Sequence, residues 1–314
     1  MANDRGEYRP YVTAVVLTWN DAEMASGCIR SVLGNTYPSK DVILVDNGSD
    51  PAVADVLGRE FPSIEVLRLD ENQGFTGGCN RGIERAIARD ADYVFLLNND
   101  TVVHEAAIEE LVDAAEARPD AAAASALILL QGAGQEIQFY KGVVHRDAAH
   151  HVHPGEGERL DERHRTTVET EFAPACALLL RTAALREVGL FDEGLFTNWE
   201  DYDLCCRFLD AGWRLITAGR AEVVHAHGQT TGRISPFITY FFTRNRLICL
   251  FRYGRPLAIL RKCPFILRTF FWQVRAYGFG NWPAHRAFLK GILHFLLGVR
   301  GGGKAPGERR DRTT

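Results

Sequence analysis

Several things are missing from this 314-residue sequence, and each absence removes a class of protein. No apolar run reaches the ~18 consecutive residues that a spanning helix needs. Met1 to Pro10 is polar and holds no apolar stretch, so no secretory signal peptide is expected. The seven cysteines are scattered without a C-x-x-C pair. That argues against a zinc ribbon or a disulfide framework and suits a reducing compartment. Acidic residues are absent from Arg233 to Arg300, where twelve Lys/Arg fall. What is present is an ordinary globular balance, 46% hydrophobic and 24% charged, which excludes disorder as the main state.

The net charge of −4 therefore hides an asymmetry: residues 1–232 carry a net charge of −18. The basic part is also rich in aromatics, among them Phe237, Tyr240, Phe241, Phe242, Phe251, Tyr253, Phe265, Phe270, Phe271, Trp272, Tyr277, Phe279 and Trp282. Rings that enter an interface beside cations that meet phosphate suit an anionic bilayer surface. A helical hairpin packed on the first domain, or a homodimer contact, is the plainer alternative. Nucleic acid is not expected as a partner, because the acidic first part would repel it. The expected organisation is a domain over 1–232, a basic aromatic helical segment over 233–300 and a flexible tail over 301–314.

Along the first part, short apolar runs alternate with stretches of helical spacing. Strands are expected at Tyr11–Leu17, Asp41–Val45, Ile64–Leu69, Tyr93–Leu97, Ala121–Leu130, Cys176–Leu180 and Ala221–His225. Helices are expected at Asp21–Asn35, Val53–Glu60, Gly74–Arg89, Ala106–Ala117, Leu185–Phe191 and Glu200–Ala211. This alternation predicts an α/β fold with a mostly parallel sheet. The polar stretch Gln131–Glu171 breaks it and reads as a solvated substrate-side loop or small hairpin. Its five histidines have no regular metal-ligand spacing.

Polar clusters recur where the expected parallel strands end, the place where open α/β sheets bind ligands. They are Trp19-Asn20, Asp46-Asn47-Gly48-Ser49 and Asn98-Asn99-Asp100. Acids here, with no Lys-Ser/Thr phosphate loop, suggest phosphates held through a divalent cation on oxygen ligands. Asp100 is the natural ligand; the alternative is a cap for the helix that follows. Four glycines in Gly74–Gly82 allow close backbone approach and aim amides at an anion, or simply make a tight turn. Glu200, Asp201 and Asp203 suit a helix start; adjacent carboxylates can also raise one another's pKa and yield a general base. His225, at the end of a strand, is a candidate nitrogen ligand.

Taken in order, VVLTWN (15–20), VDNGSD (45–50), NQGFTGGCNRGI (72–83), LLNNDT (96–101), NWEDYDLCCRFLDAGWRL (198–215), VVHAHG (223–228) and TRNRL (243–247) resemble the family 2 inverting glycosyltransferases. The nearest subgroup is the bacterial rhamnosyltransferase-like enzymes, and AFLKGILHFLLGVRGG resembles their usual ending. The resemblance implies the GT-A fold: a Rossmann-like mixed sheet flanked by helices, with a C-terminal helical segment. It also implies roles. Thr18, Asn20 and Asn99 would lie near the nucleotide, and Asp46 would accept the base N3–H of a uracil or thymine nucleotide. Asn72, Gly74 and Gly78 would shape the donor pocket, with Asn80 close by.

Asp100 would bind Mg2+ or Mn2+ with His225, although Asn98 stands where the family has its first acid. Asp201 would be the catalytic base, and Trp199 and Glu200 would meet sugar or acceptor. The implied partners are a dTDP- or UDP-sugar and a glycan or glycolipid acceptor. The implied place is cytoplasmic, peripheral on the inner face of the cell membrane. Rival readings are transfer to a soluble small molecule, a non-catalytic membrane-associated scaffold, and a nucleotidyltransferase. The last would want Lys or Arg in the first loop, and VVLTWND has none.

Overall fold

In the computed structural model, residues 9–132, 135–226, 235–255, 271, 275 and 280–302 are described. The first strand, β1 (Val12–Thr18), is buried along nearly its whole length. It pairs in parallel with β2 (Lys40–Asp46) on one side and β4 (Tyr93–Asn98) on the other. Both neighbours are continuous apolar runs, as strands covered on both faces must be. Parallel β3 (Glu65–Arg68) closes that edge beside β2. The helices between them are α1 (Ala22–Leu33), α2 (Val53–Glu60) and α3 (Gly74–Ile87). Asp21 caps α1 by accepting from the Met24 N–H.

α3 lies unusually close to the sheet. A Cβ on Gly82 would stand 2.3 Å from Val15 Cγ1, and one on Gly78 2.5 Å from Leu17 Cδ1. The glycine run is thus a helix face laid flat on β1 and β2, so a mere turn is excluded.

The second half of the sheet departs from the mostly parallel expectation. The elements that follow are β5 (Thr101–Val103), α4 (Ala107–Glu116), β6 (Ala121–Leu130), β7 (Ile137–Phe139), β8 (Val143–His145), β9 (His150–Val152), β10 (Val168–Thr170), β11 (Ala177–Arg181), α5 (Thr182–Val188), α6 (Glu200–Asp210) and β12 (Arg214–His225). The sheet order is β10-β12-β6-β11-β4-β1-β2-β3, with β5 on β12 and β7 on β6. β11 runs antiparallel between β4 and β6, which makes the sheet mixed, as the family resemblance implied.

The stretch Gln131–Glu171 is more than a solvated loop. β7 and β10 join the large sheet, β8 and β9 form a separate pair, and Ile137, Phe139 and His164 are buried. Among the described residues, no three or more His, Cys, Asp and Glu converge there or elsewhere as a metal cage.

The chain divides into two compact units. One comprises 1–143, 152–191 and 201–227; the other comprises 144–151, 192–200 and 228–314. In the second unit, α7 (Pro236–Tyr253) packs on α8 (Trp282–Leu296) through Ala284, Ala287, Phe288 and Gly291 of α8. No helix among the described residues is long and apolar enough to cross a membrane. Phe265, Phe270, Trp272, Tyr277 and Phe279 of the aromatic segment, and most of the tail, lie outside the described residues.

Candidate active site

The strand ends meet as the sheet register requires. Thr18 lies opposite Asp46, and Leu17 opposite Asn98. These residues of β1, β2 and β4 therefore sit side by side at one edge. Asn99 Nδ2 reaches Thr18 Oγ1 at 3.3 Å, and Thr18 Oγ1 donates to the Asp21 carbonyl at 2.9 Å. Asn20 is exposed, with φ 57°. Its N–H donates to Ser49 Oγ at 2.9 Å, and its Oδ1 accepts from the Asp50 N–H at 2.8 Å. The two polar loops are thereby tied together.

Asp46 has no solvent exposure. Its Oδ1 accepts from the Ser49 N–H at 3.0 Å and its Oδ2 from the Ala54 N–H at 2.9 Å. In this structure Asp46 is the organiser of the turn after β2. Each oxygen keeps a second lone pair, so the base contact that the resemblance implied is a further role for the same carboxylate.

Asn47, which sequence reasoning left without a role, holds the glycine-rich start of α3. Its Nδ2 donates to Asn72 Oδ1 at 3.1 Å and to the Gly74 carbonyl at 2.9 Å, and its Oδ1 accepts from the Gln73 N–H at 2.9 Å. Asn72 Oδ1 also accepts from the Gly74 N–H at 2.8 Å. Gly78 serves helix–sheet approach, as described above. Asn80 pairs with the backbone of Phe191 through both amide atoms, at 2.9 and 3.0 Å, and is a structural tie.

Asp100 is not a helix cap. β5 intervenes, and Ala106 precedes α4. β5 pairs antiparallel with β12, setting Thr101 opposite His225. Asp100 Oδ1 and His225 Nε2 come within 3.1 Å, both side chains 7% exposed. Asn98 Nδ2 is 3.5 Å from the same ring nitrogen. On the far side of the ring, Nδ1 is 3.0 Å from Gln138 Oε1.

With no cation between them, Nε2–H would donate to Asp100; the Nδ1–H tautomer, with Gln138 Oε1 accepting, would instead free the Nε2 lone pair for a metal ion. Such an outer partner sets the tautomer of a ligating histidine. A carboxylate oxygen and an imidazole nitrogen would suit Mn2+ or Mg2+ with mixed ligands, Asp100 and His225 being the residues that would hold it. Of the VVHAHG motif, residues 227 and 228 lie outside the described residues.

The three acids of α6 divide by environment. Asp203 is fully buried, and its Oδ2 accepts from Arg207 Nε at 2.9 Å. Arg207 also donates to the carbonyls of Val188, Gly189 and Leu190. Asp203 is therefore structural. Asp201 accepts from the Tyr202 N–H at 2.8 Å. Its residue keeps some surface, but burial of the carboxyl pushes its pKa up to about 6. Loss of water on burial is the largest cause. The buried thiol of Cys176 is raised first by burial and then by the charges of Asp100 and Asp201.

Glu200 and Trp199 belong to the second unit. Glu200 is 8% exposed. The Trp199 ring lies edge-on to Phe242 and His151, at 5.3 and 5.9 Å between centroids, with the Arg246 guanidinium over it at 5.8 Å.

The profile of Glycosyl transferase family 2 matches residues 13–189. An N-acetylglucosaminyl-diphospho-decaprenol L-rhamnosyltransferase of Mycobacterium tuberculosis is 30% identical over 70% of this chain and 77% of its own. A pre-mycofactocin glycosyltransferase of the same organism is 29% identical over 69% of this chain and 43% of its own. Among solved structures, GalNAc-T7 with UDP, GalNAc and Mn2+ superposes with a TM-score of 0.59 at 15% identity. That match covers 75% of this chain and 47% of that one, and it speaks to the fold.

Proposed function

The chain belongs to the family 2 glycosyltransferases, and on that premise we propose an inverting transfer of rhamnose from dTDP-rhamnose to a lipid-linked or cell-surface glycan. The observation that carries the reading is the Asp100–His225 pair, closed at the end of β4 by the pairing of β5 with β12. It lies beside the polar ends of β1 and β2 in one unit. Asp100 and His225 would hold the divalent cation, which supplies charge stabilisation to the departing diphosphate. Thr18, Asn20, Asn72, Gly74 and Asn99 would line the nucleotide.

Asp201 removes the proton from the acceptor hydroxyl as that oxygen attacks the anomeric carbon. With a pKa of about 6, it is ionised at neutral pH yet basic enough to accept a proton. One displacement inverts the anomeric configuration and needs no enzyme nucleophile. Rhamnose and a lipid-linked acceptor are supported by the name of the 30% identical relative. The test is a thermal-shift and nucleotide-release screen of dTDP- and UDP-sugars with Mg2+ or Mn2+. A metal-dependent response to dTDP-rhamnose is expected. A response to UDP-sugars alone would discard rhamnose, and silence from both would overturn the reading.

Peripheral attachment to the anionic inner face of the membrane is part of the same proposal. α8 turns Trp282, Leu289, Leu293, Leu296 and the following Leu297 to solvent, each more than half exposed. This stripe sits in a chain segment with twelve cations and no acid. Replacing Leu289, Leu293 and Leu296 by Ser is expected to cut co-sedimentation with phosphatidylglycerol vesicles by a factor on the order of 10 or more, with the melting temperature unchanged. Unchanged co-sedimentation, or a switch from dimer to monomer instead, would assign the stripe to a second copy.

A further inference from the structure

Among the described residues, the segment 194–199 gathers three non-glycine residues of positive φ. Phe196, Asn198 and Trp199 have φ of 68°, 63° and 76°, the left-handed region that bulky L-residues avoid. Such a conformation persists only where its surroundings dictate it, and it is a pointer to function.

Two buried side chains of α7 dictate it here. Arg244 and Asn245 have no solvent exposure. Arg244 Nη2 donates to the carbonyls of Gly194 and Leu195 at 3.1 and 2.9 Å, and Nη1 to that of Gly301 at 2.7 Å. Asn245 Nδ2 donates to the carbonyls of Leu195, Thr197 and Asn198, all within 2.9 Å. Two amide hydrogens facing three acceptors mean that one bond is shared. Arg244 Nε donates to Asn245 Oδ1 at 2.9 Å, which locks the pair together.

A guanidinium taken out of water is costly unless fully engaged. This one, its pKa lowered chiefly by burial, has carbonyl dipoles and the rings of Phe241 and Tyr240 at 4.8 and 5.3 Å. The chain end completes the enclosure. The Gly301 N–H donates to the Gly194 carbonyl at 2.7 Å, and a Cβ on Gly302 would stand 2.3 Å from the Phe196 ring.

We propose that Arg244 and Asn245, closed by residues 300–302, are a clamp that shapes the 194–199 segment and thereby positions Trp199 and Glu200 for the acceptor. This gives a job to TRNRL and to the VRGG ending, motifs to which the chemistry assigned none. The two are positioning residues, acting through the backbone they hold. The inference rests on the acceptor-side reading of Trp199 and Glu200.

The test is Asn245→Asp, which keeps the size and turns the donor into an acceptor facing three carbonyls, with Asn245→Ala beside it as a neutral deletion. In both, kcat of transfer is expected to fall by about 100-fold, since small displacements of a reacting group cost that much. Affinity for dTDP in Mn2+ is expected to hold within about threefold, the split that separates positioning from collapse. Hydrogen exchange at 194–199 is expected to quicken by about tenfold while β1 and β4 keep their protection.

Near-wild-type kcat, or unchanged exchange at 194–199, overturns the clamp. Nucleotide affinity that falls in step with kcat in both variants overturns it too, by making the pair a general fold determinant. A wild-type protein that neither binds nucleotide nor turns over would sink the glycosyltransfer reading instead, and the exchange measurement would still decide the clamp.

Discussion

Asp201→Asn is expected to abolish sugar transfer and, at neutral pH, to stabilise the protein. Burial holds the Asp201 carboxyl near 6, against an ordinary 3.8. Below the unfolded value both states are protonated and the group costs nothing. Between roughly 3.8 and 6 the folded state keeps a proton that the unfolded state has lost, so stability falls as pH rises through that window. Above it the whole penalty is present, on the order of 3 kcal/mol.

The amide carries no charge and keeps an oxygen to accept from the Tyr202 N–H. Its melting temperature should therefore exceed the wild type's at pH 7.5 and converge with it near pH 4. Turnover should drop by about 10²- to 10⁴-fold, the usual worth of a positioned base. In the wild type, kcat/KM should fall on the acid side with an apparent pKa near 6. A variant that keeps turnover, or that is destabilised at pH 7.5, would contradict both the role and its electrostatic cause.

Asp100→Ala and His225→Ala carry the second large effect. Each removes one of the two protein donors that face each other at 3.1 Å. Dissociation constants for dTDP or UDP in Mn2+ should rise by about 10- to 100-fold in either variant. The double variant should be little worse than the singles, because groups that act through one ion are not additive. Chelation of the wild type should produce the same loss and should add nothing in Asp100→Ala. Calorimetric titration with and without Mn2+ reads all of this. Wild-type affinity that ignores the metal would dismiss the pair as a cation site.

The first half of the fold was legible because its strands are buried on both faces. β1, β2 and β4 read as unbroken apolar runs, and their boundaries appear within one or two residues of expectation. The three-residue strands had no such signal. β5 hid inside the approach to α4, and with it the reason why Asp100 is a partner of His225 rather than a helix cap. Gln138 escaped because its contact with His225 spans 87 residues and leaves no local pattern.

Asp201 is picked out by its motif, but the largest cause of its raised pKa, burial, leaves no mark in the sequence. Nor does the pairing of Asp203 with Arg207, which separates those two acids by environment. Asp46 and Asn80 also have structural bonds that their motifs do not announce: their polar atoms hold a turn and the Phe191 backbone.

The stereochemistry of a single turnover tests the account most directly. Proton NMR of the glycoside formed from dTDP-rhamnose, or from whichever nucleotide-sugar the screen selects, would report the new anomeric centre. A one-step displacement with Asp201 as base predicts a product of configuration opposite to the donor. Retention would require an enzyme-bound or dissociated intermediate and would contradict the mechanism built on this site.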